Sequence, residues 1–232
     1  MFKLFSLIVL LSTILRANEQ IILVISDDFN ATTAQLYTYE KKSKHYHRVF
    51  VPFSVNLGRN GLGWGEGIQN LQHQENEPQK REGDGRAPSG IFMLGNAFGY
   101  EPTSSTKLHY THADTELICV DDVTNKHYNR VLHVKDKTAI KSYEIMQRKD
   151  NLYEIGVMVA HNEKNIPSYG SCIFLHVEKY SGAPTAGCTS MSKEKLSQLI
   201  PWLDYDKKPI LIQIPALYYN EVLKLYPELL IK

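Results

Sequence analysis

Of 232 residues, 43% are hydrophobic and 22% charged, enough apolar content for a packed core and too much for a disordered chain. Lys plus Arg numbers 26 against 25 for Asp plus Glu, so no polyanionic partner is implied and nucleic acid is excluded as the expected ligand. Three cysteines are too few for a disulfide scaffold.

In chain order, Leu4 to Leu15 is an apolar run broken only by Ser6, Ser12 and Thr13. It is shorter than the ~18 residues a spanning helix needs. With Lys3 before it and the small Ala17 after it, residues 1–17 read as a secretory signal; an uncleaved anchor or a buried first helix is the plainer alternative. No second run of spanning length follows. The expectation is an exported protein, periplasmic or secreted, residues 18–232, with no integral membrane segment after cleavage.

Gln20 to Ser26, Ala34 to Tyr39 and Val49 to Val55 have strand character, the last marked as an edge by Pro52. Residues 56–90 read as a glycine-rich loop. Within it, residues 58–67 lack Gly-Lys-Ser/Thr, which rules out a phosphate loop. Strands are predicted again at Ile91 to Leu94, Glu116 to Val120, Leu152 to His161, Cys172 to Glu178 and Pro209 to Ile214. Ser192 to Leu203 reads as a helix capped by Ser192, with leucines 196, 199 and 203 at helical spacing. A second helix is predicted from Leu217 to Tyr226, ended by Pro227. Many short strands and two helices predict a mainly β fold, a sandwich with a few short helices. No repeat or composition shift marks a linker, so one domain is expected.

The candidate chemistry lies between Ser171 and Ser192. On an extended strand Cys172, Phe174, His176 and Glu178 share a face, yet Cys172 and His176 are separated by about 13 Å, too far to bond. Cys188 follows His176 after Gly182, Pro184 and Gly187, residues that can turn the chain back. A thiol brought beside an imidazole becomes a nucleophile, because the ring takes its proton. Gly187 leaves backbone N–H groups free to approach an oxyanion. The plain alternative is a small core cysteine and a packed strand histidine. His161 is a rival base or a structural histidine. His45 and His47 have metal-binding spacing but no carboxylate or cysteine cluster nearby, so no metal is expected. Export and an odd cysteine count lead to the expectation that Cys119 and Cys172, both in predicted strands, pair and leave Cys188 free.

His176-Val177 followed by Thr185-Ala186-Gly187-Cys188 resembles the active-site signature of the L,D-transpeptidase (YkuD-like) family. Further blocks are similar to one divergent, exported branch: Gly61-Leu62-Gly63-Trp64-Gly65, Lys80 through Gly85, Pro88 to Phe92, Cys119 to Asp122, His161-Asn162 and Gly170 to His176. Together they span roughly residues 50 to 214. Two positions depart from the commoner pattern: Ala186 stands where histidine is usual and Ser190 where arginine is usual, which puts substrate orientation and the acceptor in doubt.

The resemblance implies a YkuD-like fold and acyl transfer on peptidoglycan stem peptides, with Cys188 as nucleophile, His176 as base and the Val177 carbonyl orienting the ring. It places Thr185, Ser190, His161 and Asn162 near the substrate, and it implies no metal or organic cofactor. Lys80, Arg81 and Arg86 are a solvated turn or, for a substrate ending in carboxylates, a clamp that includes Arg81. L,D-carboxypeptidase action and a catalytically silent peptidoglycan-binding module are the alternatives. A cysteine peptidase of another type is disfavoured, because here the histidine precedes the cysteine.

Overall fold

The computed structural model describes residues 18–69 and 71–231; the expected signal segment 1–17 lies outside them. Its strands are β1 (Gln20–Ser26), β2 (Thr33–Lys42), β3 (His45–Arg48), β4 (Phe53–Asn56), β5 (Leu62–Trp64), β6 (Ala87–Gly99) and β7 (Tyr110–His112). They continue with β8 (Leu117–Val120), β9 (Arg130–His133), β10 (Tyr143–Ile145), β11 (Ile155–Val159), β12 (Phe174–Val177), β13 (Thr189–Met191) and β14 (Ile210–Pro215). The helices are α1 (Lys193–Trp202) and α2 (Tyr219–Leu225). None among the described residues is long and apolar enough to cross a membrane.

The fold is mainly β with mixed pairing and few helices. The main sheet runs β1-β14-β6-β11-β12-β13-β4-β2, and β2 pairs again with β1, so it closes on itself in a barrel-like ring. Most junctions are antiparallel; β1–β14 and β12–β13 are parallel. Strands covered on both faces read as continuous apolar runs rather than alternating ones, which is why QIILVIS of β1 and ILIQIP of β14 are buried almost throughout. The core beneath α1 gathers Leu196, Leu199, Ile200 and Leu203 with Phe92, Val157, Leu175 and Met191. Ser192 caps α1 by accepting from the Lys195 N–H.

A three-stranded sheet, β10-β8-β9, stands apart from the ring. It is tied to it by the Cys119–Cys172 disulfide, which joins β8 to the residues just before β12.

Several sequence-based bounds change. Val49 to Val55 is not one strand, because the ladder breaks around Pro52 and resumes at Phe53; proline offers no N–H to it. The segment 56–90 contains β5, which pairs in parallel with the start of β6. Cys172 takes a left-handed φ of +56°, so the regular strand starts only at Phe174 and the alternation assumed from Cys172 does not hold. The strand expected from Leu152 to His161 is confined to β11. The second helix begins as a 3-10 turn over Ala216–Tyr218 before α2.

Candidate active site

The parallel junction of β12 and β13 builds the site. Its register sets Leu175 opposite Thr189 and His176 opposite Ser190, which leaves Cys188 one residue ahead of the ladder, level with Phe174. The Phe174 backbone N–H donates to Cys188 Sγ at 3.3 Å. The thiol in turn faces the Cys172 carbonyl at 3.5 Å. Cys188 is buried and free of any disulfide.

His176 is buried, with its Nδ1 2.7 Å from the Val177 carbonyl oxygen. A carbonyl only accepts, so the proton sits on Nδ1 and Nε2 is left as the basic nitrogen. Nε2 has no hydrogen-bond partner among the described residues. Tyr153 packs edge-on against the ring, with centroids 5.2 Å apart. Thiol and imidazole do not hydrogen-bond one another in this structure. They line one cavity of about 340 Å³, together with Lys80, Glu144, Thr185 and Ser190.

The turn into Cys188 is fixed by Thr185. Its Oγ1 accepts from the Gly187 N–H at 3.1 Å and donates to the Cys188 carbonyl at 2.6 Å. Gly187 has φ +156°, and a Cβ there would meet the Arg86 carbonyl oxygen at 3.1 Å. The Gly187 N–H is therefore committed, whereas the Cys188 N–H has no acceptor among the described residues and is the donor left for an oxyanion.

Residues 22–212 match the family model of the L,D-transpeptidase catalytic domain, YkuD. The chain belongs to the YkuD family. Among curated protein sequences none matches. A solved structure, the helical cell shape determining protein Pgp2 from Campylobacter jejuni, is similar over 84% of this chain at 14% identity, with a TM-score of 0.40. This chain spans 47% of that protein's chain, and the assignment rests on the family match.

Burial governs the electrostatics of this YkuD site. Desolvation first, and the nearby Glu144 charge second, push the Cys188 thiol up to about 12; the Phe174 N–H and Lys80 oppose this without reversing it. Desolvation takes His176 down to about 4 against the pull of the Val177 carbonyl. At neutral pH both groups are uncharged, so the arrangement can act as a thiol with an adjacent general base rather than as a preformed ion pair.

Other residues expected at the substrate face divide. Thr185 and Ser190 line the Cys188 cavity, and Ser190 Oγ accepts from Asn56 Nδ2 at 3.3 Å. His161, Asn162 and Arg81 do not reach it. His161 lies along a second cavity beyond the disulfide, its Nε2 on the Tyr169 carbonyl at 3.0 Å and its Nδ1 buried without a partner among the described residues. Asn162 is fully buried and turned inward, donating to the Ile166 and Gly170 carbonyls. Arg81 lies over the Tyr169 ring at 4.4 Å. These three hold the 161–170 loop. His45 pairs with Glu228 at 2.6 Å, far along the chain from the site.

Neither Glu144 nor Tyr153, which the sequence places only on the strand leading to His161, is legible as a site residue from the sequence. Tyr153 donates to Glu144 Oε2 at 2.5 Å on the cavity wall. Burial raises the pKa of Glu144, with the Tyr153 hydroxyl opposing. No motif marked either residue: Glu144 lies in a three-residue strand of the smaller sheet.

Proposed function

We propose that this YkuD domain is an exported cysteine acyltransferase acting on peptidoglycan stem peptides, with Cys188 as nucleophile and His176 as general base. The observation that carries this is a free Cys188 thiol sharing one cavity with a His176 ring whose Nδ1 is locked on Val177, which leaves Nε2 basic. Family membership supplies the substrate class.

In this reading, Cys188 Sγ attacks the carbonyl carbon of the third stem residue, a diamino acid, while His176 Nε2 takes the thiol proton. The tetrahedral oxyanion receives the Cys188 N–H. Its collapse breaks the bond to the terminal D-alanine, whose amine leaves with the proton from His176, and a Cys188 thioester remains. An amine of a neighbouring stem then takes the acyl group to give a cross-link, or water takes it to give a trimmed tripeptide. Sulfur supplies the covalent chemistry, so no organic cofactor enters. Export is supported by the 1–17 segment and by a disulfide, which persists in an oxidising compartment.

The test is D-alanine release from a stem tetrapeptide, with and without a tripeptide acceptor. Wild-type protein should release D-alanine and Cys188→Ala should not. No release by folded wild type would leave the peptidoglycan-binding module as the better reading.

A further inference from the structure

Three cations of the 80–86 turn were candidates for a carboxylate clamp, and the structure separates them. Arg81 stacks on Tyr169, with its Nη1 on the Lys80 carbonyl at 2.8 Å. Arg86 donates through Nη1 to the Phe29 and Leu62 carbonyls at 3.2 and 2.8 Å. Neither lines the Cys188 cavity. Lys80 does, although only 4% of it is exposed.

The lysine reaches the cavity through space left by two glycines. A Cβ on Gly170 would fall 2.8 Å from Lys80 Cε, and one on Gly187 would fall 3.7 Å from Nζ. The ammonium therefore ends against the residue that precedes the nucleophile. Of its three donors, one goes to the Arg81 carbonyl at 2.7 Å and one to Asp84 Oδ1 at 2.6 Å. The third has no acceptor among the described residues. Asp84 is itself held by the Arg81 and Arg86 N–H groups at 2.6 and 2.9 Å, so the ammonium is fixed rather than swinging. The other cations of the cavity are less suited: Arg148 is engaged by both oxygens of Asp150, and Arg59 and Lys179 are exposed.

We propose that Lys80 is the carboxylate-binding residue of this site, its free N–H taking the C-terminal carboxylate of the acyl donor and so setting the scissile carbonyl over Cys188. This rests on the function proposed above. In a donor ending in a free amino acid the carboxylate lies one residue beyond the scissile carbonyl, and the Lys80 ammonium, set against Gly187, lines the same cavity as Cys188. A fixed ammonium also selects such donors over amidated ones, since a charge-assisted hydrogen bond is lost with the charge.

The experiment compares a stem tetrapeptide with its C-terminal amide, using wild type, Lys80→Met and the control Arg59→Met. Wild type should favour the free acid by about 10–100-fold in kcat/KM, the size of a charge-assisted bond. Lys80→Met should abolish the preference, chiefly through KM, and Arg59→Met should keep it. Equal use of both donors by wild type, or a preference surviving in Lys80→Met, would overturn the assignment. If Lys80→Met does not fold, Lys80→Gln, which keeps an N–H for the Arg81 carbonyl, takes its place. If wild type uses neither donor, the acyltransferase reading fails by itself. Lys80 is then judged by alkylation of Cys188 with anionic iodoacetate against neutral iodoacetamide, read by intact mass. That ratio should drop about tenfold on losing a neighbouring cation, and an unchanged ratio would refute the placement.

Discussion

Cys188 Sγ lies 3.3 Å from the backbone N–H of Phe174, two residues before His176 on the same strand. The strand that carries the proposed base thus also holds the proposed nucleophile, and the parallel β12–β13 ladder fixes both.

Two histidines can be separated by substitution. His176→Gln should lower D-alanine release by about 10²–10⁴-fold, the usual worth of a general base, with little change in fold. His161→Gln should leave release within a few-fold, since His161 faces another cavity. It should instead change stability by about 1–3 kcal/mol, because a buried, partly bonded ring is replaced. Turnover and thermal unfolding of both variants distinguish the roles.

The state of the thiol is open to titration. With Cys188 pushed up to about 12 and His176 down to about 4, alkylation by iodoacetamide should be slow at pH 7 and still rising above pH 9. Glu144→Gln removes the carboxylate that adds to the effect of burial, so its profile should move to lower pH. A plateau beginning between pH 6 and 8 in wild type would indicate a preformed thiolate–imidazolium pair.

Acid stability follows from the same burial. The folded-state pKa values of His161 and His176 are both taken down to about 4 from 6.5, so between these limits the unfolded chain binds more protons than the folded one. Stability is therefore fully present above about pH 6.5 and is lost as pH falls toward 4, with a slope of up to about 2–3 kcal/mol per pH unit from the two rings. Unfolding in denaturant at pH 7, 6, 5 and 4 measures it, and His161→Gln should flatten the curve.

Breaking the disulfide should affect both stability and activity. Cys119 and Cys172 close a sequence separation of 53 residues, and losing such a bridge costs about 2–5 kcal/mol. The Cys172 carbonyl faces the thiol at 3.5 Å, so Cys119→Ser should also slow D-alanine release at temperatures where the variant remains folded. Thermal unfolding and turnover, measured together, separate the two effects.

What the sequence disclosed was local. His176, Val177, Thr185, Gly187 and Cys188 lie within one short stretch, where turn residues and a motif sufficed to read them. The long apolar strands and the Ser192-capped helix were legible from periodicity and capping. That His161, Asn162 and Arg81 do not line the Cys188 cavity was not legible, because sequence blocks do not reveal which side of β11 and the disulfide a side chain faces. The left-handed turn at Cys172 was hidden because an extended strand was assumed through it. Glu144 and Tyr153 meet only when the small sheet docks beside β12, and strands of three or four residues are too short to show a period of two.

The central claim, that Cys188 forms the covalent intermediate, is tested most directly by intact-mass analysis after incubation with a stem tetrapeptide or a carbapenem. The account predicts one added acyl group on the wild type, mapped to Cys188, and none on Cys188→Ala. An unmodified, folded wild type that nevertheless releases D-alanine, or an equal adduct on Cys188→Ala, would contradict it.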